Sequence, residues 1–164
     1  IWDLNSKFNY YLQVELAVCD AYAELGTIPK DAAKQIREKA SFTVERIDEI
    51  EREVRHDVIA FLTCVNESLG DLGRFVHVGM TSSDVIDTAF ALQIQDSGKI
   101  IKADLTKIIQ TLKNLAKAHK DTVCIGRSHG IHAEIMTFGA KMCSWIDILS
   151  RQKDNFEQIG RAHV

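Results

Sequence analysis

Proline is almost missing, with one residue in 164, against a usual share of about 5%. Nine glycines are too few for an all-β chain, which needs a turn every several residues. The four cysteines, Cys19, Cys64, Cys124 and Cys143, form no CxxC pair, and that argues against a zinc ribbon. No apolar run approaches the roughly 18 residues of a membrane span, and no signal-peptide pattern opens the chain. A dominant charge sign is lacking too. Twenty basic residues stand against 23 acidic ones, a formal net charge of −3. Residues 1–80 carry nine basic and 14 acidic side chains, net −5, and residues 81–164 carry 11 and nine, net +2. Neither part has the basic stripe of a nucleic-acid binder.

What is present is a 46% hydrophobic, 26% charged chain, which excludes a disordered protein and suffices for a sizeable core. Three of the cysteines lie beside apolar neighbours at helical spacing. They read as small buried hydrophobes in a reducing, cytoplasmic setting.

Apolar spacing predicts an all-α fold. Between residues 6 and 25, Phe8, Tyr11, Leu12, Leu16, Cys19, Tyr22 and Ala23 recur at steps of three and four, one helix face. Gly26 suits a left-handed C-cap. Pro29 suits the first turn of a short helix over 30–40. Ser41 breaks the pattern, residues 43–55 read as an acidic surface helix, and Asp57–Leu69 is apolar again. Gly70, Gly73 and Gly79 punctuate the loop that follows. From 83 to about 120, Ile86, Phe90, Ile94, Ser97, Ile101, Leu105, Ile108, Leu112 and Leu115 form one stripe. At about 1.5 Å per residue this helix exceeds 50 Å and needs neighbours along its length. Residues 121–134 read as a polar loop. Phe138, Met142, Trp145, Leu149, Gln152, Phe156 and Ile159 then restart a seam that runs to Gly160-Arg161-Ala162-His163-Val164. The expectation is a small helical domain over 1–80, then two long antiparallel helices over 81–164 that begin a truncated central bundle. Two helices do not bury a seam alone, so further helices come from longer sequence or from other copies.

Polar residues of catalytic type collect at three helix junctions. The first is Arg55-His56-Asp57. Arginine offers a planar fork for phosphate or carboxylate, and histidine adds a donor that charges near neutral pH. Equally, Asp57 can simply be an N-cap, with Arg55 and His56 solvated. The second junction runs from His77 through Gly79 to Thr81-Ser82-Ser83-Asp84, where three hydroxyls and a carboxylate crowd one helix start. Ordinary capping needs one of the four, and a helix N-terminus suits an anion. The third is Gly126-Arg127-Ser128-His129-Gly130-Ile131-His132-Ala133-Glu134. HxxH is not the HExxH of a zinc helix. A general acid or base is more economical than a metal, and a loop of satisfied polar groups is the plain alternative. Spacing leaves the choice between His129 and His132 open. His119 and His163 are given no role.

These three strings, "RHDVIAF", "HVGMTSSDVIDTA" and "GRSHGIHAE", resemble the fumarase/aspartase superfamily in sequence, order and separation. Thr-Ser-x-Asp marks the superfamily. The other two strings, with the opening "IWDLNSKFNYYLQVELAVCDAYAELGTIP", resemble its adenylosuccinate lyase branch. The likeness covers essentially the whole chain. It implies β-elimination of fumarate across a C–N bond, without metal or cofactor, on a nucleotide monophosphate-type substrate. It implies a homotetramer with active sites shared between subunits. By resemblance, His129 is the general acid and Ser128 a substrate contact. Arg55, His56 and Asp57 contact the nucleotide, His77 supports, and Thr81 and Ser82 hold the succinyl group. No nucleic acid or membrane partner is implied. Ile135 replaces the family's usual proline after His-Ala-Glu, which predicts a local backbone change. The family's serine-bearing loop, which carries its base, has no counterpart in the 164 residues. The piece alone is therefore expected to lack lyase activity.

Overall fold

The computed structural model describes residues 1–158. The predicted end of the last seam, Ile159 through His163 to Val164, lies outside the described residues. The chain falls into two compact units, Ile1–Asp96 and Ser97–Val164.

The first unit holds α1 (Leu4–Glu24), α2 (Lys30–Lys39), α3 (Val44–Val54), α4 (Asp57–Leu69), a 3-10 turn over Gly70–Phe75, and the start of α5 (Ser82–Ala118). Local chemistry sets its boundaries. Asp3 caps α1, its carboxylate accepting from the Ser6 N–H at 2.9 Å and the Ser6 hydroxyl at 2.7 Å. At the other end Gly26 takes φ 76°. The Gly26 N–H then reaches the Ala23 carbonyl and the Thr27 N–H the Tyr22 carbonyl, a Schellman closure. Pro29 stands one place earlier than expected, at the N-cap of α2 with φ −62°. Thr43 caps α3 by accepting from the Arg46 N–H.

The core of this unit is built around rings. Phe61 is fully buried. It stacks on Phe8 at 5.7 Å and meets the edges of Tyr11 and Phe42 at 5.6 and 5.9 Å. Ile36, Ile47, Val58, Val65, Val85 and Ala89 close around this cluster.

The second unit contains the rest of α5, two antiparallel strands, β1 (Val123–Ser128) and β2 (Ile131–Thr137), and α6 (Phe138–Phe156). The hairpin corrects the expected polar loop. Thr137 ends β2 and caps α6 by accepting from the Ala140 N–H at 3.1 Å. Helices α5 and α6 run antiparallel, as expected. Gly139 abuts the Ala116 and His119 carbonyls at one end, and the Phe156 ring abuts Gly98 at the other.

The 37-residue α5 is as long as its pattern implied, but of the expected stripe Leu112 alone is buried, with Ile86, Ser97 and Leu105 half-buried. Val85, Ala89, Gln93, Ile109 and Leu112 are buried, while Phe90, Ile94, Ile101, Ile108 and Leu115 are exposed. In the first unit the covered face of α5 is that of Val85, Ala89 and Gln93, and Phe90 and Ile94 are left open beside it. On α6, Met142 is buried, but Trp145 and Gln152 are exposed. Cys19 and Cys64 are buried as expected, whereas Cys124 is half-buried and Cys143 exposed. Among the described residues no helix is long and apolar enough to cross a membrane.

Candidate active site

Arg55 ends α3 in the left-handed region, φ 53°, its N–H bonded to the Glu51 carbonyl at 2.8 Å. That reversal brings α4 back at once, and His56, not Asp57, is its N-cap. The imidazole Nδ1 accepts from the Ile59 N–H at 3.4 Å, which leaves the ring proton on Nε2 in the neutral form. Asp57 opens the helix itself, and one carboxylate oxygen accepts from the Val58 N–H at 2.8 Å. Its other oxygen lies 3.6 Å from the Lys7 ammonium. Arg55, His56 and Asp57 line one groove with Leu4, Lys7, Phe8, Asp48 and Glu51. Three carboxylates there face two fixed cations. An anionic ligand would bind through Arg55, Lys7 and the His56 Nε2 side rather than through the groove as a whole. Lys7 was not singled out from sequence. Its ammonium also lies over the Phe8 and Tyr11 rings, at 5.4 and 5.3 Å.

The second junction is a tight bend. His77 and Gly79 both take positive φ, 63° and 71°. A side chain at Gly79 would place its Cβ 2.8 Å from the Tyr22 hydroxyl, so glycine is required there on two counts. His77 is held twice by Glu15 of α1. The His77 N–H donates to Oε2 at 3.0 Å, and Nδ1 lies 2.6 Å from Oε1. Glu15 is buried, and burial pushes its carboxyl upward while the His77 contacts oppose the shift. Sequence reading passed over Glu15. The available signal was an acidic residue four positions from both Tyr11 and Cys19, inside an otherwise apolar helix face.

Asp84 takes the capping role at the start of α5, accepting from the Thr81 N–H at 2.8 Å while its own N–H bonds the Thr81 carbonyl at 3.0 Å. That ties down the Thr81 N–H with one residue of the four. The Thr81, Ser82 and Ser83 hydroxyls make no hydrogen bond among the described residues. They remain available as donors beside the free N–H groups of a helix N-terminus.

The third string forms the hairpin of the second unit. Ser128 pairs with Ile131 and Arg127 with His132 across a two-residue turn. His129 and Gly130 supply it with φ 53° and 76°, positive at both positions as a type I′ turn demands. The register shifts between Ile125 and Arg127, and Gly126 fits there with the Glu134 carbonyl 3.3 Å from where its Cβ would lie. Ser128, His129 and His132 are all exposed, and the His132 Nε2 lies 3.3 Å from the Arg127 guanidinium. Ile135 lies within β2, paired with Ile125 and 79% exposed. The hairpin thus displays His129 at its tip on strained backbone, without a hydrogen-bond partner among the described residues, while His132 is engaged. Among the described residues no group of three His, Cys, Asp or Glu side chains is placed to hold a metal.

The scaffold is helical but for one two-stranded hairpin, with polar groups at its bends, hydroxyls at a helix start and a histidine at the hairpin turn. The sequence profile described as "Lyase" matches residues 1–164, and the chain belongs to that family, within the fumarase/aspartase superfamily. It is similar to the adenylosuccinate lyase of Synechocystis sp., 51% identical over 162 residues, 99% of this chain and 38% of the relative. It is 49% identical to the adenylosuccinate lyase of Aquifex aeolicus over 157 residues, 94% of this chain and 36% of the relative. The chain therefore spans a little over a third of the length of these relatives. Among solved structures, the fumarate lyase from Mesorhizobium sp. BNC1 superposes with TM-score 0.89 at 31% identity, covering 96% of this chain and 38% of that one. The 3-carboxy-cis,cis-muconate lactonizing enzyme from Pseudomonas putida superposes at 0.87 and 26% identity, covering 98% and 38%.

Proposed function

We propose that the chain is part of a lyase that eliminates fumarate from adenylosuccinate, giving AMP, and from the succinyl-carboxamide ribotide of purine biosynthesis. The observation that carries this reading is 44–51% identity to adenylosuccinate lyases over 94–99% of the chain. In the proposed chemistry a base outside these 164 residues removes a proton from the carbon next to a carboxylate. The C–N bond breaks, its electron pair passes to nitrogen, and His129 protonates that nitrogen. Ser128 contacts substrate beside it. Arg55, His56 and Asp57 hold the nucleotide, with His77 in support. Thr81 and Ser82 bind the succinyl carboxylates, where fixed donors stabilise the charge that builds up in the transition state. Their unspent hydroxyls at the start of α5 support this assignment. The reaction needs no metal or cofactor.

The working protein is proposed to be a cytoplasmic homotetramer with sites shared between subunits. The piece alone is inactive, because the base is elsewhere. The exposed stripe of Phe90, Ile94, Ile101, Ile108 and Leu115 supports assembly through α5. The division into a helical domain over 1–80 and bundle helices from 81 is part of the same proposal.

Full-length protein supplied with adenylosuccinate should release fumarate together with AMP. Release of fumarate with arginine from argininosuccinate instead would move the reading to argininosuccinate lyase. The exposed stripe also favours a second reading, a helical assembly module without chemistry. His129→Gln separates the two. Loss of kcat by about 10²–10⁴-fold with the oligomer intact supports the lyase, and unchanged turnover overturns the role of His129.

A further inference from the structure

We propose that Glu15 is a positioning residue. It holds the His77 ring proton on Nδ1 and so leaves Nε2 as the nitrogen available to substrate. The inference deepens the reading above, because it rests on His77 belonging to the site.

The geometry has three parts. First, both carboxylate oxygens of Glu15 are used by one residue, Oε2 by the His77 N–H at 3.0 Å and Oε1 by Nδ1 at 2.6 Å. A carboxylate offers acceptors only, so two donors converging on it place the imidazole proton on Nδ1. Second, the pair is built into the core. The Glu15 side chain is 2% exposed and that of His77 22%. Glu15 sits on the α1 face that also buries Tyr11 and Cys19. Burying a carboxylate there is unfavourable unless it is fully paired, and an apolar side chain would serve packing better. Third, His77 occupies φ 63°, a backbone state that costs a β-carbon residue energy. The hydrogen bond from its own N–H to Glu15 offsets that cost and aims the ring. The His77 Nε2 makes no hydrogen bond among the described residues. Fixing one ring nitrogen so that the other keeps a defined role is how carboxylate–histidine pairs act generally.

Glu15→Gln tests this in the full-length protein. The amide oxygen still accepts the His77 N–H, so the bend is retained. The amide NH2 now faces Nδ1 as a donor and drives the ring proton to Nε2. The expected result is a kcat at least about tenfold lower, with thermal stability and oligomeric state retained. The loss caused by a wrong tautomer in a serine-protease triad, near 10⁴-fold, marks the upper end. Imidazole 15N shifts of protein labelled at histidine, with His77 assigned through His77→Gln, should show Nδ1–H in the wild type and Nε2–H in the variant. Adding Glu15→Gln to His77→Gln should cause no further loss.

An inverted tautomer with unchanged kcat shows a purely structural pair and overturns the proposal. So does Nε2–H in the wild type, where a protonated Glu15 would be donating to Nδ1. That last measurement needs no variant of Glu15, so it decides even if Glu15→Gln does not fold. Absence of fumarate release by the wild type would sink the proposed function, while the nitrogen shifts would still judge Glu15.

Discussion

Replacing Gly139 with alanine sets two opposed effects against each other, and the structure says which prevails. Alanine favours helix over glycine by about 0.8–1.0 kcal/mol in a helix interior, and somewhat less at the second residue of α6, where Gly139 lies. Without a steric objection the substitution would stabilise. But the new Cβ would lie 2.6 Å from the Ala116 carbonyl oxygen, 2.9 Å from the His119 carbonyl oxygen and 2.9 Å from the Lys120 Cα. A carbon and a carbonyl oxygen approach comfortably to about 3.3 Å, so the closest contact is short by about 0.7 Å. All three obstacles are backbone and none can rotate away. Two hydrogen bonds tie the same corner, from the Gly139 N–H to the His119 carbonyl at 2.9 Å and from the Phe138 N–H to the Thr122 carbonyl at 2.8 Å. Relief means pushing the start of α6 off the end of α5 and stretching both. Overpacking of this kind costs about 1–3 kcal/mol. With three backbone obstacles the upper part of that range applies, about 2–3 kcal/mol, and subtracting the helical gain leaves a net loss of about 1–2 kcal/mol. Urea unfolding of wild type and variant, followed by circular dichroism at matched protein concentration, measures it. A variant as stable as the wild type, or more so, would refute the close backbone approach, because only the sign of the helix preference would remain. Since β2 runs directly into α6 through Thr137, the same shift should disturb the hairpin that carries His129.

Two further expectations follow from the first unit. Phe61→Ala removes a ring that touches Phe8, Tyr11 and Phe42 at a fully buried position. It should cost about 3–5 kcal/mol in denaturant unfolding, and a loss below about 1.5 kcal/mol would mean that the site collapses freely. The Asp3 carboxyl is held down at about 2, chiefly by the Ser6 hydroxyl and then by the Ser6 N–H. Its folded-state value lies below its unfolded one, so the cap contributes fully above the ordinary aspartate range and fades as pH falls toward 2. A carboxyl 13C titration with a midpoint near 3.8, the ordinary value, would show that the cap does not form.

The helices were legible because their signals are local. Period, caps and breakers place Asp57–Leu69 to the residue and the boundaries of α1, α2, α3 and α5 within one or two positions, whereas α6 ends at Phe156, short of the seam's expected run to the last residues. The hairpin was not legible in the same way. Residues 121–134 carry histidines, glycines and charge where a strand usually alternates, and their pairing depends on a cross-strand partner that no single segment announces. The His129-Gly130 turn was visible in retrospect, since it needs positive φ twice and one of its two residues is glycine. His56 as cap of α4 was missed because Asp57 is the commoner capping residue. The α5 stripe was misread for a different reason. Periodicity reports which faces are apolar, but not which of two adjacent apolar faces the chain itself covers.

Composition and spacing alone determined that this protein is helical, where its bends lie and which residue types crowd them, because those properties follow from each segment's own backbone preferences. Tertiary structure decided that Glu15 meets His77 across 62 positions of sequence, and that Val85 and Ala89 of α5, rather than Phe90 and Ile94, join the core of the first unit. Those outcomes depend on which surfaces come into contact, and contact between distant segments is settled by packing, burial and hydrogen-bond satisfaction together.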